Sequence, residues 1–198
     1  MPPPIGENQR LISDYEFSFA QRLARGVLEK PKISVWLVLI PILFLYYAHK
    51  IQRYKAGLQG FCDGVMHTPK IALEAVVAEL LGADGPDYRE LFLAVHPDPT
   101  PQVLKVLERQ TAQLELLKEH YRRLLLQVAP DYRGLLRGAY RNRIEYGDFL
   151  DRLSRAEEEV GQAVLAAFRP GEEARRVNER MARLSRELRA EDQRRFFK

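Results

Sequence analysis

The sequence contains a single cysteine, Cys62, among its 198 residues. One cysteine excludes an internal disulfide framework, and without a CxxC pair the chain lacks the ligand spacing of a structural zinc site. The four histidines share no metal-ligand spacing, and there is neither a glycine-rich phosphate loop nor a GxSxG elbow. We therefore predict no cofactor and no metal, and the sequence gives no sign of a small-molecule ligand or of a catalytic residue.

Charge of one sign is not in large excess either. The 31 Lys and Arg residues against 27 Asp and Glu residues give a net charge of +4, which only weakly favours acidic partners such as lipid headgroups. In the last helix the two signs alternate, as in Glu172 with Arg176, and this pattern is typical of a solvated or coiled-coil face. We do not expect nucleic acid to be a partner.

Alternation of period two, the pattern of half-buried strands, is missing, whereas helical periodicity runs through the chain. The sequence therefore predicts an all-α protein in four parts. They are an amphipathic N-terminal helix over 1–30, a membrane-inserted helix over 31–54, a helical bundle with coiled-coil-like long helices over 55–168, and a charged C-terminal helix over 172–198.

The membrane prediction depends on one apolar run, residues 33–48. Its 16 residues cover about 24 Å as a helix, which is short of a hydrocarbon layer about 30 Å thick. Pro41 lies at its centre and fits a kinked span, a re-entrant hairpin or a helix buried in protein. The candidate anchor residues are Lys32, Trp36, Pro41, Tyr46, Tyr47, Lys50 and Arg53.

Before this run, apolar residues at three- and four-residue steps from Ile12 to Val27 predict an amphipathic helix. It would lie on an anionic membrane surface or pack on the rest of the fold. The stretch "FAQRLARGVLEKPKISVWLVLIPILF", from Phe19 to Phe44, together with "HYRRLL", from His120 to Leu125, resembles an uncharacterised family of small bacterial membrane proteins with no assigned function. The resemblance implies a bacterial membrane location. We expect the inner (plasma) membrane, single-pass or re-entrant, with the C-terminal domain in the cytoplasm.

The later helices carry heptad seams and clear start signals. Thr68 before Pro69 and Thr100 before Pro101 each predict a helix start. Gln110 is a polar position in the first seam, where it would set the register or mark a boundary. Such seams join helices of two chains or of one bundle. The candidate seam residues are Leu107, Leu114, Leu117, Tyr121, Leu124, Val177, Met181, Leu184 and Leu188.

These features favour a membrane-anchored helical interaction or scaffold protein. Its partners would be the lipid bilayer and an unidentified protein or a second copy of the chain. An enzyme is still compatible with the sequence, because catalytic groups can converge from distant segments, but it would require a polar pocket within the bundle.

A second alternative comes from "YRELFLAVHPD", which resembles the second helix and the His-Pro-Asp loop of J-domain co-chaperones. The resemblance implies that His96, Pro97 and Asp98 stimulate the ATPase of a heat-shock chaperone. Without that role, "HPDPTP" is a proline-rich turn between two helices.

One short sequence occurs twice. Pro-Asp-Tyr-Arg-x-Leu begins at Pro86 and again at Pro130. It indicates either a helical-hairpin repeat or two independent helix starts, since proline followed by an acidic residue is a common start signal.

Overall fold

The structure is a computed structural model that describes residues 3–27 and 57–198. Seven helices make up 83% of these residues, which form no strand, so the predicted all-α class is confirmed. The helices are α1 (Ile5–Val27), α2 (Gly57–Leu80), α3 (Tyr88–Val95), α4 (Pro101–Leu125), α5 (Tyr132–Ala139), α6 (Arg143–Phe168) and α7 (Glu172–Phe196).

Both copies of Pro-Asp-Tyr-Arg begin a short helix, and in each the aspartate is the N-cap. Asp87 accepts two backbone N–H groups at 2.8 and 3.1 Å, and Asp131 accepts one at 2.7 Å. Tyr88 and Tyr132, the next residues, are both buried. The shared sequence thus serves as two capped helix starts, each followed by a tyrosine that packs in the core.

Pro69 does not begin a helix, contrary to the prediction. Helix α2 runs through it from Gly57 to Leu80, so that Pro69 lies in its interior. Proline has no N–H, and the carbonyl of Val65 therefore lacks its helical donor. Buried side chains on both sides of the proline, such as Phe61 and Val76, pack on other helices and keep the two halves helical.

Helix α4 is the centre of the bundle. It packs against α1, α2, α3, α5 and α6, and its buried residues belong to the largest apolar cluster of the described chain. A second cluster joins the end of α1 to the start of α2 through Phe19, Leu23 and Phe61, and α7 packs on it. Helix α1 therefore buries its apolar stripe within the bundle, one of the two positions that its periodicity allowed.

Helix α7 is attached both through apolar contacts with the second cluster and through polar groups. Among its described residues only Ser185, Asp192 and Phe196 are buried. At its end, the guanidinium groups of Arg133 and Arg137 donate to the carbonyl oxygens of Phe196 and Lys198. Cations at this position also complement the negative end of the helix dipole.

The predicted bacterial inner-membrane location is contradicted. Within residues 3–27 and 57–198, no helix combines the length and the apolarity that a bilayer span requires. Even α2 carries Asp63, Lys70 and Glu74 along its length, and charges inside a span are costly. The apolar run 33–48 and the candidate anchor residues fall outside the described residues; these residues are Lys32, Trp36, Pro41, Tyr46, Tyr47, Lys50 and Arg53.

Candidate functional site: a cavity within the bundle

A cavity of about 190 Å³ lies between α1, α2, α4, α6 and α7. Its walls are mostly apolar and aromatic, with a small number of polar groups, which is the usual character of a ligand site. The polar lining includes Glu16, Gln110, His120, Glu157 and Arg189; the apolar lining includes Phe19, Leu23, Leu117, Phe149, Leu150 and Leu153. A cavity of about 150 Å³ accepts benzene, so this one has room for a single ring with short substituents.

Glu16 is the carboxylate that α1 brings to the cavity. Its Oε1 accepts a hydrogen bond from the hydroxyl of Tyr121 at 2.9 Å, and the side chain is half-buried. Burial raises the pKa of Glu16 to about 7, although the Tyr121 hydrogen bond and the charge of Arg189 act in the opposite direction. Near neutral pH this carboxyl group therefore exists in both protonation states.

Arg189 and Glu157 form an ion pair in the same wall. The guanidinium donates to both carboxylate oxygens, at 2.5 and 2.6 Å, and only 12% of the Arg189 side chain is exposed. The guanidinium also lies 5.2 Å from the centroid of the Phe19 ring. Glu157, and not Glu16, is therefore the hydrogen-bonded partner of Arg189, although the charge of Arg189 still lowers the pKa of Glu16.

A second ion pair lies near this wall but does not line the cavity. Asp192, 2% exposed, pairs with Arg22 and accepts the hydroxyl of Tyr15 at 2.8 Å. Burial raises the pKa of Tyr15 well above its ordinary value. Asp192 is thus satisfied within the fold, since each of its carboxylate oxygens receives a donor.

Gln110 belongs to the opposite wall and is completely buried. Its Oε1 accepts the hydroxyl of Tyr88 at 2.5 Å, whereas its Nε2 has no hydrogen-bond partner among the described residues. An unpaired buried donor costs about 1 to 3 kcal/mol. A ligand atom that accepts from Nε2 would remove this cost.

His120 lies in the aromatic part of that wall. Its Nδ1 is 2.7 Å from the hydroxyl of Tyr140, and its ring stacks on Phe149 with centroids 4.3 Å apart. Burial, together with the charges of Arg123 and Arg189, lowers the pKa of His120 to about 3. The imidazole is therefore neutral at neutral pH and brings no charge to the cavity.

The predicted seam residues pack within the helical bundle of a single chain. Leu107, Leu114, Leu117, Tyr121 and Leu124 are buried in the main cluster, and Val177, Met181, Leu184 and Leu188 are partly buried against the second cluster. This is the arrangement in which the seams are satisfied within one bundle. Only Leu117 and Met181 of the set line the cavity.

The structure does not bring the His-Pro-Asp loop to the cavity. The loop joins α3 to α4, with Pro97 and Asp98 exposed and His96 half-buried against Phe92 at 5.2 Å between ring centroids. The co-chaperone role stays a prediction.

Sequence reasoning did not predict the cavity or the roles of Glu16 and Arg189. For Glu16 a signal existed, because the residue lies four positions after Ile12 and three before Phe19, on the apolar stripe of α1. Comparison with known proteins gives no further guide: no family model, no curated protein and no solved structure matches this chain.

Proposed function

We propose that this protein binds a small organic molecule in the cavity of its helical bundle. The observation that carries the proposal is the combination of 190 Å³ of space with polar groups that the fold leaves unused, above all Nε2 of the buried Gln110. A ligand of one ring fits this volume. We prefer a ligand-binding role because the bundle contains a polar pocket, which the sequence alone did not indicate.

The cost of the cavity supports the proposal. Space that no side chain fills costs the lining atoms part of their van der Waals contacts compared with a packed core. Larger side chains at the lining positions would remove this cost. A fold that keeps the space and also keeps a buried polar donor at its edge is suited to a ligand that fills both.

The test is a screen of single-ring fragments by ligand-observed NMR and by the shift in melting temperature. We expect fragments to bind the wild type, and we expect Leu153→Trp, which fills the cavity, to abolish binding while the helical circular dichroism is retained. Leu104→Trp is the matched control, because Leu104 is 42% exposed on α4 and does not line the cavity. Equal binding by Leu153→Trp, or a wild type that binds no fragment, would refute the proposal.

A second candidate function is the predicted one, a helical interaction or scaffold protein. It is favoured by three exposed apolar side chains, here called the apolar patch: Leu126, Val128 and Ile144 are 49%, 58% and 75% exposed. The ion pair between Arg123 and Glu145, 3.2 Å apart, holds the end of α4 beside the start of α6 and so gathers the patch at one end of the bundle. Contact with a second copy or with another protein would bury it.

Light scattering tests this second function. If the apolar patch mediates self-association, the wild type is larger than a monomer, and Val128→Asp with Ile144→Asp reduces its size. Leu81→Asp is the control, since Leu81 is 68% exposed but does not belong to the patch. A monomeric wild type would exclude self-association through the patch.

A further inference from the structure

Negative side chains in the cavity wall outnumber the positive ones that pair with them. Among residues 3–27 and 57–198, four charged side chains line it: Glu16, Glu157, Glu158 and Arg189. Arg189 pairs with Glu157, and Arg186, from outside the lining, pairs with Glu158. Glu16 has no cation within ion-pair distance among the described residues, and its hydrogen-bond partner is the neutral hydroxyl of Tyr121. The wall therefore has one carboxylate in excess.

The ionisable groups next to the wall do not neutralise this extra carboxylate. Asp192 is matched by Arg22, and His120 is neutral because burial lowers its pKa to about 3. No lysine of the described part of the chain lines the cavity. Burial disfavours the charged form of Glu16 and is the physical cause of its raised pKa, and the charge of Arg189 offsets this effect only in part.

The surroundings of Glu16 are suited to a cation in other respects. The ring of Phe19, one helical turn away, already has the guanidinium groups of Arg22 and Arg189 at 5.7 and 5.2 Å from its centroid. Aromatic faces attract cations through their quadrupole. The carbonyl of Val65 lacks its helical donor because of Pro69, and both residues line the cavity.

Gln110 defines what the rest of the ligand must offer. Its Nε2 is a buried donor without a partner among the described residues, and the residue itself lines the cavity from α4. A ligand that satisfies it carries a hydrogen-bond acceptor, such as an ether or hydroxyl oxygen. The two unmatched groups, one acceptor and one donor, thus specify the two polar ends of a molecule whose middle contacts apolar walls.

We infer that the ligand is a single-ring organic amine whose ammonium group pairs with Glu16 and whose acceptor receives the hydrogen bond of Gln110. The inference rests on the proposed function and names the chemical class of its ligand. Neutral molecules of the same shape would leave the Glu16 carboxylate unpaired, and anions would be repelled by it.

Three probes of similar size test the class: 4-methoxybenzylamine, 4-methoxybenzyl alcohol and 4-methoxybenzoate. Isothermal titration calorimetry at pH 8 is expected to give the amine at least tenfold tighter binding than the alcohol, and no binding of the carboxylate. In Glu16→Gln the advantage of the amine disappears while the alcohol binds as before. Glu108→Gln, at an exposed position of α4, keeps the wild-type preference.

The pH dependence gives a readout that a merely structural role of Glu16 would not produce. Because its pKa is about 7, the carboxylate fraction falls roughly tenfold from pH 8 to pH 6. The affinity for the amine is expected to fall by a similar factor, and that for the alcohol to stay constant. The other groups that affect the charge of Glu16 are Tyr121 of α4, Glu157 of α6, and Arg189 and Asp192 of α7.

The outcomes separate the two proposals. If the alcohol or the carboxylate binds as tightly as the amine, the ligand class is wrong and the cavity remains a binding site. If other fragments bind but none of the three probes does, the class is again wrong. If no molecule binds the wild type, the proposed function itself fails. The comparison of the three probes in the wild type needs no variant, so it decides the class even if Glu16→Gln does not fold.

Discussion

The two walls of the cavity solve the problem of burying polar groups in different ways. One wall, from α1 and α7 with Glu157 of α6, holds charges and matches all of them except Glu16 in pairs, Arg22 with Asp192 and Arg189 with Glu157. The wall from α4 and α6 holds aromatic rings, with the neutral His120 stacked on Phe149. Burial favours the neutral form in both walls, and it therefore moves the pKa of a carboxyl group and that of an imidazole in opposite directions.

This difference gives the walls opposite pH dependences. The pKa of Glu16 is about 7 instead of 4.5, so the folded state holds a proton that the unfolded state has released, and the free energy of unfolding falls as the pH rises from 4.5 to 7. The pKa of His120 is about 3 instead of 6.5, so the free energy of unfolding falls as the pH drops from 6.5 to 3. Between pH 4.5 and 6.5 the two contributions oppose each other.

The largest expected effect comes from the aromatic wall. Phe149→Ala removes the ring that stacks on His120 and contacts Tyr140 and Tyr146. We expect a loss of about 3 to 5 kcal/mol in the free energy of unfolding, measured by urea denaturation. Phe17→Ala is the matched control, because Phe17 is 47% exposed and should lose much less. Equal losses would mean that the ring at 149 does not pack as described.

A substitution in the charged wall should lower the free energy of unfolding by less. Asp192→Asn keeps the shape of the side chain but removes the charge that Arg22 requires, and we expect destabilisation of about 2 kcal/mol in the same measurement. Asp151→Asn changes an exposed aspartate of α6 and should leave stability within about 0.5 kcal/mol of the wild type. A neutral effect of Asp192→Asn would show that this ion pair does not stabilise the fold.

The dependence of the free energy of unfolding on pH below 6.5 tests the lowered pKa of His120. In the wild type, protonation of this imidazole in the unfolded chain should lower the free energy of unfolding by at most about 1.4 kcal/mol per pH unit between pH 6.5 and 3. His120→Asn removes this contribution, so its stability should decline less steeply over that range. Parallel curves for the two proteins would contradict the assignment.

The smallest expected effect concerns Glu16. Glu16→Gln can still accept from Tyr121 but has no charge to desolvate, so at pH 8 it should be more stable than the wild type by on the order of 1 kcal/mol. At pH 4.5 the two proteins should be alike, because the wild-type carboxyl group is then protonated. Thermal unfolding at both pH values measures the difference, and a gain that is the same at both would rule out the ionisation of Glu16 as its cause.

Local signals in the sequence predicted much of the fold. The helical periodicity and caps such as Asp131 and Thr100 are short-range features, and the structure contains both caps. The continuation of α2 through Pro69 was not predictable in this way, because packing of the residues on either side outweighs the local cost of the proline. Periodicity also did not distinguish burial of α1 in the bundle from its placement on a membrane surface.

The candidate site was less predictable than the fold. Gln110 was visible as a polar position in an apolar seam, but its unpaired donor depends on Tyr88, which comes from another helix. Arg189 was hidden among the alternating charges of the last helix, and its partner Glu157 lies 32 residues earlier on α6. Contacts of this kind depend on how helices are arranged in space, which the pattern along a single helix does not contain.

The ion pairs that attach α7 to the bundle affect the rate at which a bound molecule would leave the cavity. This helix forms one wall of the cavity, and much of its attachment comes from ion pairs such as Arg186 with Glu158, whose side chains are 54% and 37% exposed. Salt screens exposed charges over about 10 Å at 0.1 M ionic strength. Raising the ionic strength should therefore let α7 separate from α6 more often, and a molecule held in the cavity would exchange with solution faster in high salt than in low salt.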